Sequence, residues 1–179
     1  MAQKILFKVT ESPSDLQNPF SGRMATNNNP NFGEDGCYQE AFKFEEKSEL
    51  QVDGNNNVQG IRQSPFLIWK SMDIDTPSFK ECLIRNLEIG EISFHFFHTR
   101  GADTHLINHF TIILKKVKVI ESQILLFDIS DDTPEERSPN FKLPYIEQLK
   151  LTASNVTWKY SRTSEPRKAT KTTVFNIGN

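Results

Sequence analysis

The chain has 179 residues, enough for one domain that buries roughly 70% of the surface its unfolded form exposes. No linker-like stretch divides it, so residues 1–179 read as a single domain. A net charge of −2 offers no electrostatic footprint for nucleic acid, and no apolar run reaches the roughly 20 residues that span a bilayer.

Alternation of apolar and polar residues dominates the chain, and 14 Phe, 9 Pro and 8 Gly favour short strands and turns over long helices. The opening Met1-Ala2-Gln3-Lys4-Ile5-Leu6-Phe7-Lys8 is charged too early for a cleaved secretory signal. The expectation is a protein made soluble in the cytoplasm that, if exported, uses a route needing no cleaved signal. Ile5, Phe7 and Val9 share one face of a first strand. A long loop over about 11–36 follows, rich in Ser, Asn, Pro and Gly and including Asn27-Asn28-Asn29. Tyr38, Phe42 and Phe44 mark a second strand. Leu50 and Val52 then precede a turn at Asp53-Gly54-Asn55-Asn56-Asn57, where Asp-Gly is a favoured tight-turn pair.

Phe66, Ile68 and Met72 lie on one face of the next segment and Leu67 and Trp69 on the other. A strand apolar on both faces needs cover on both, from a helix or a second subunit. Leu67 and Trp69 are therefore the candidate subunit interface. One short helix is expected over Thr76–Ile89, with Asp75 as N-cap acceptor, Pro77 in the first turn, a stripe of Phe79, Leu83 and Leu87, and Gly90 as the stop.

The remainder reads as strands. Ile92, Phe94 and Phe96 alternate with Ser93 and His95. Phe110, Ile112 and Leu114 share one parity and Val117 and Val119 the other, so a β-bulge is expected at Lys115-Lys116, bending the strand as a barrel requires. Leu149, Leu151 and Ala153 switch in the same way to Val156, Trp158 and Tyr160. A second long loop is expected over about 128–144, and Thr173, Phe175 and Ile177 mark a last strand.

Little in the chain points to catalysis. Cys37 and Cys82 are far apart, form no disulfide framework and match no zinc spacing. An isolated Cys among apolar residues is more often a small inert core residue than a nucleophile. His95 and His98 stand three apart on a strand and point to opposite faces, although a hairpin around Gly101 would bring His98 to His109. Without carboxylates or thiols nearby in sequence, these and His105 read as hydrogen-bonded or exposed histidines near a hairpin end. Asp128, Asp131, Asp132, Glu135 and Glu136 lack the spacing and central glycine of a calcium loop. The basic run with Arg162, Arg167, Lys168 and Lys171 reads as solvated surface. No phosphate-binding glycine loop, nucleophile elbow or dinucleotide fingerprint is present, and no cofactor or metal is expected.

The segment from Arg62 to Pro77 resembles the haemolysin-coregulated protein (Hcp) family, the tube subunits of bacterial type VI secretion. That family shows an Arg, then Pro-Phe, then Lys and Asp, then Ser-Pro at its helix start. Here these are Arg62, Pro65, Phe66, Lys70, Asp73 and Pro77, with Thr76 in the place of the serine. Leu114 to Val119, through Val117 and Val119, is similar to the family's L-x-N-V-x-V strand. Glu147 and Leu149, followed by Trp158 and Tyr160, are similar to its E-x-V-x-L … I-x-W-x-Y ending. The N-terminal third departs from the pattern, and Gln63-Ser64 replaces a histidine common after the arginine.

The resemblance implies a mainly β fold, an antiparallel β-barrel with a single short helix, and a non-enzymatic role. It further implies hexameric rings that stack into a tube, a valine-glycine repeat spike protein and a contractile sheath as partners, small effector proteins held in the lumen, and secretion without a cleaved signal peptide. Two alternatives stand beside it. One is a monomeric barrel binding oligosaccharide or nucleic acid through Trp158, Lys159 and Tyr160. The other is a metal- or cysteine-dependent enzyme.

Overall fold

Period-two patterning builds nine strands and one helix within the residues that the computed structural model describes, namely 3–20, 38–99, 106–126, 145–164 and 167–176. In chain order they are β1 (Gln3–Glu11), β2 (Gln39–Glu45), β3 (Ser48–Val52), β4 (Val58–Gln63), β5 (Phe66–Ser71), α1 (Thr76–Ile84), β6 (Glu88–Thr99), β7 (Leu106–Leu126), β8 (Tyr145–Ser164) and β9 (Arg167–Asn176). One antiparallel sheet runs β5-β2-β1-β6-β7-β8-β9, and β5 also pairs with β8. That last ladder, from Phe66↔Leu151 to Ser71↔Ile146, closes β5-β2-β1-β6-β7-β8 into a six-stranded barrel. Closure removes sheet edges that would otherwise offer unpaired backbone. The expected barrel with one short helix is what the chain forms.

β8 is the spine of this arrangement. One edge pairs with β7 along most of its length, while the other is divided between β5 over Ile146–Leu151 and β9 over Asn155–Ser164. β3 and β4 form a separate hairpin outside the barrel. Its turn is tied by Asp53, whose Oδ1 accepts from the backbone N–H of Asn55 and Asn57, both at 2.8 Å. The left-handed position falls on Asn56, with φ 63°, rather than on Gly54.

The core joins both faces of the closure. Phe7, Phe66, Ile68, Ile92, Phe94, Ile112, Leu114, Leu149 and Val156 are buried from the strands, and Phe79 and Cys82 are buried from α1. Each such aliphatic or aromatic side chain contributes about 1.5–3 kcal/mol by leaving water. β5 alternates as expected, with Phe66 and Ile68 buried and Leu67 and Trp69 half-buried on the outer face.

The parity switch is real, but it is not a register-shifting bulge at Lys115-Lys116. Ile89, Val117 and Ala153 are buried at one level, and Ile92, Leu114 and Val156 at the next. Between them every strand carries two residues that are not buried: Gly90-Glu91 on β6, Lys115-Lys116 on β7 and Ser154-Asn155 on β8. Because all three strands spend the same extra residue, the ladders pass through without slipping. Lys116 takes the bend with φ 51°. β1 does slip here, gaining Thr10 between Val9↔Ile92 and Glu11↔Glu91, with the Glu11 side chain lying over Gly90. The sheet is creased along one line. Shifts of register occur elsewhere, at Phe42, His109 and Ile120.

The helix is shorter than expected and ends at Ile84. Asn86 adopts φ 52°, while the N–H of Leu87 donates to the Cys82 carbonyl at 2.9 Å and that of Asn86 to Leu83 at 3.3 Å. This is a Schellman stop with Asn in the left-handed position. Gly90, the expected stop, lies in β6, and Leu87 packs on the core from beyond the helix. Asp75 makes no side-chain cap.

The described part of the first long loop is strapped to α1. Arg85 donates to the Asp15 carbonyl at 2.7 Å, Ser78 donates to Asn18 at 2.7 Å, and Phe20 meets Phe79 with ring centroids 4.7 Å apart. The second loop, with its acidic run, and Cys37, His105 and Ile177 lie outside the described residues.

Candidate functional site

The residues that first drew attention by motif form a buried polar latch where α1, β5 and β8 meet. Lys70 has the parity of Phe66 and Ile68, so its side chain enters the core and is 0% exposed. Its ammonium donates to Asp73 Oδ1 at 2.7 Å, to the Ser71 carbonyl at 3.1 Å and to Thr76 Oγ1 at 3.3 Å. It also stands 3.2 Å from Glu147 Oε2, itself 0% exposed on β8. Thr76 donates to Glu147 Oε2 and Ser122 donates to Glu147 Oε1, each at 2.8 Å. Lys70↔Glu147 is a paired position of the closing ladder, so the ion pair sits on the seam.

Around the latch, Asp73 Oδ1 accepts from the Asp75 N–H at 3.0 Å, which turns the chain into α1, and the Asp75 carboxylate accepts from the Gln39 amide of β2. Pro77 occupies the exposed first turn of the helix. Lys70, Asp73 and Glu147 thus converge, with Thr76 completing the set. The latch holds the helix start to the two strands that close the barrel. The Lys70–Glu147 pair at its centre is sealed from water, whereas Asp73 at its rim is partly exposed.

Other motif positions scatter. Phe66, Val117, Val119 and Leu149 are core residues, whereas Arg62 and Pro65 are exposed. Trp158 is partly buried, and its indole N–H donates to both Glu46 oxygens at 3.0 and 3.1 Å. Burial raises the Glu46 pKa, and the indole hydrogen bond partly opposes the shift. Tyr160 is exposed next to Lys159.

Two surfaces invite company. On the outer face, Leu67 lies between the ladder partners Glu45 and Lys150, and Trp69 between Lys43 and Gln148, with Lys43 Nζ 4.5 Å from the Trp69 ring centroid. The second surface is the β3–β4 hairpin. Leu50↔Ile61 and Val52↔Val58 place four aliphatic side chains together, each between 49% and 63% exposed. An isolated two-stranded hairpin is marginal in water, and among the described residues this one keeps its apolar face exposed. Alternation in the sequence predicts Leu50, Val52 and the turn, whereas Val58 and Ile61 on the returning strand complete the face.

The histidines divide. His95 packs edge-on against Tyr38 and bonds Asn108 at 3.1 Å, and burial, with Lys8 and Lys159 nearby, pushes its pKa down to about 4. Tyr38 is thereby on the outer side, away from Phe44, which meets Phe94 in the core. His98 and His109 face each other. Cys82 is a buried thiol pushed up to about 11 by desolvation, unlike a poised nucleophile. Among the described residues no group of three or more His, Cys, Asp or Glu is arranged to hold a metal, and no helix is long and apolar enough to cross a membrane.

The described residues thus form a closed antiparallel barrel with one latched helix, a half-buried apolar pair on β5 and an exposed aliphatic hairpin face. Solved structures of Hcp proteins have this shape. A structure described as Hcp protein superposes with TM-score 0.68 at 15% identity, over 95% of this chain and 99% of that one. The secreted protein Hcp3 from Pseudomonas aeruginosa gives 0.61 at 12% identity, over 96% and 97%. A type VI secretion system effector from Yersinia pestis gives 0.62 at 11% identity, over 97% and 99%. No family model matches the chain, and no curated protein matches it. The expected Hcp-like fold is therefore present, at low sequence identity to those structures.

Proposed function

We propose that this chain is an Hcp-type tube subunit of a type VI secretion system, non-enzymatic and working by assembly into hexameric rings. The observation that carries this reading is the superposition over nearly the whole of both chains on Hcp structures. The outer face with Leu67 and Trp69 is the lateral contact between subunits, where burial of the half-exposed indole would add apolar stabilisation. The aliphatic hairpin face is the contact between stacked rings. The latch keeps the wall rigid enough for these contacts to repeat.

On this reading the ring lumen carries small effectors. The tube is capped by a valine-glycine repeat spike, enclosed by a contractile sheath, and leaves the cell without a cleaved signal. Light scattering after size exclusion tests the first step. A particle of six times the 20.6 kDa chain mass, ring-shaped in negative stain, is the expected result. A monomer at high concentration overturns it and favours the ligand-binding barrel. Leu50→Lys with Ile61→Lys should leave rings that no longer stack.

A further inference from the structure

The geometry points to a divalent transition-metal site on the paired imidazoles of His98 and His109, near the end of the β6–β7 ladder. Their Nδ1 atoms stand 3.0 Å apart, with ring centroids at 4.7 Å and planes at 75°. Two nitrogens bound at about 2.0–2.1 Å to a tetrahedral ion lie roughly 3.3 Å apart, and on a square-planar ion roughly 2.9 Å. The observed separation falls between these values, so a small ring rotation admits a metal where the two rings now share a proton.

The backbone arranges this pair. His98 has the alternation of Ile92, Phe94 and Phe96, and Cα pairing passes from Phe96↔Phe110 to Phe97↔Asn108. His109 is the residue left over. A bulge re-aims the side chain it carries, and here it turns the His109 ring to His98. Both histidines belong to strands, so the chelate is preformed rather than carried by a loop.

Burial and the adjacent His98 hold the His109 pKa below the ordinary value, against a Phe96 backbone hydrogen bond that favours its charged form. Imidazole selects late first-row ions, with Cu(II) bound most tightly in that series and Ni(II) and Zn(II) less so. Among the described residues no third protein ligand joins the pair.

Calorimetric titration of the purified full chain with Cu(II), and separately with Ni(II), should show one equivalent per chain. His98→Asn with His109→Asn removes both ligands and leaves His95 and His105 in place. It should weaken binding by about tenfold to a hundredfold or more, the range that even supporting residues of metal sites command. A variant that melts like the parent yet binds equally well overturns the proposal, as does a parent that binds no metal. If the variant does not fold, imidazole NMR of the parent decides. Substoichiometric Cu(II) should broaden the His98 and His109 ring signals first, and preferential broadening of another histidine overturns the assignment.

Discussion

Lys70→Met is the sharpest perturbation of the latch. Methionine keeps the length and most of the volume of lysine but removes the ammonium. Glu147 then remains wholly buried, held by the Thr76 and Ser122 hydroxyls at 2.8 Å each. Removing one partner of a buried ion pair costs about 3–5 kcal/mol, because the remaining charge is stranded. The two surviving hydroxyl bonds, and an Asp73 that water reaches, place the expected loss at the lower end, about 3 kcal/mol. For a chain of this size each kcal/mol moves Tm by about 2–4 °C, so the midpoint should fall by about 6–12 °C. Glu147→Gln should cost less, since Asp73 still neutralises Lys70. The double variant should melt above the sum of the two losses, because neither charge is then left alone. Circular dichroism melts at pH 7 and one fixed protein concentration suit the test, since the proposed assembly would make the midpoint concentration-dependent. A Lys70→Met shift under about 2 °C, or strict additivity, would mean that the side chains act by packing alone and would refute the reasoning.

Other outcomes follow from single features. Leu67→Ser with Trp69→Ala should lower the assembled fraction in light scattering while leaving the strand signature in circular dichroism; an unfolded variant would make these residues core. His95 has a folded pKa of about 4, below its ordinary 6.5, so the unfolded chain takes up its proton first. Its contribution is complete above about pH 6.5 and is lost as pH falls toward about 4. His95→Gln should flatten that part of the stability profile in urea titrations, and an unchanged slope would exclude His95 as its source. Asn86→Ala should destabilise by about 1 kcal/mol, since Ala tolerates the left-handed C-terminal position less well, whereas Asn86→Gly should be neutral or better in the same melts.

Much of the barrel was legible because alternation is a direct print of which face is buried. Phe66 and Ile68 against Leu67 and Trp69 is the clearest case, and Leu149, Leu151 and Ala153 against Val156 and Trp158 another. The misses share a cause, which is that one strand does not report its neighbours. Phe42 looks like a partner of Phe44 until the β5 ladder leaves it as the spare residue of a bulge. Lys115-Lys116 looks like a private bulge until β6 and β8 show the same skip. Asn86 stops the helix where Gly90 was the stronger signal, because the Schellman bonds close four residues earlier. Of the latch, Lys70, Asp73 and Glu147 were marked by resemblance alone. The parity of Lys70 with Phe66 and Ile68 already placed a cation in the core, and such a cation requires a buried anion. The His98–His109 pair was readable as a hairpin option, but its closeness depends on the His109 bulge.

The crease through Gly90, Lys116 and Ser154 also limits how this chain can change over evolutionary time. An insertion or deletion of one residue in β6, β7 or β8 beyond that line would turn every following side chain of that strand inside out. A matched change in all three strands, one confined to the connections between them, or a bulge that absorbs the extra residue as at His109 and Ile120 keeps Ile92, Leu114 and Val156 facing inward. Substitutions that keep the parity are therefore easier for this wall to absorb than unmatched changes of strand length.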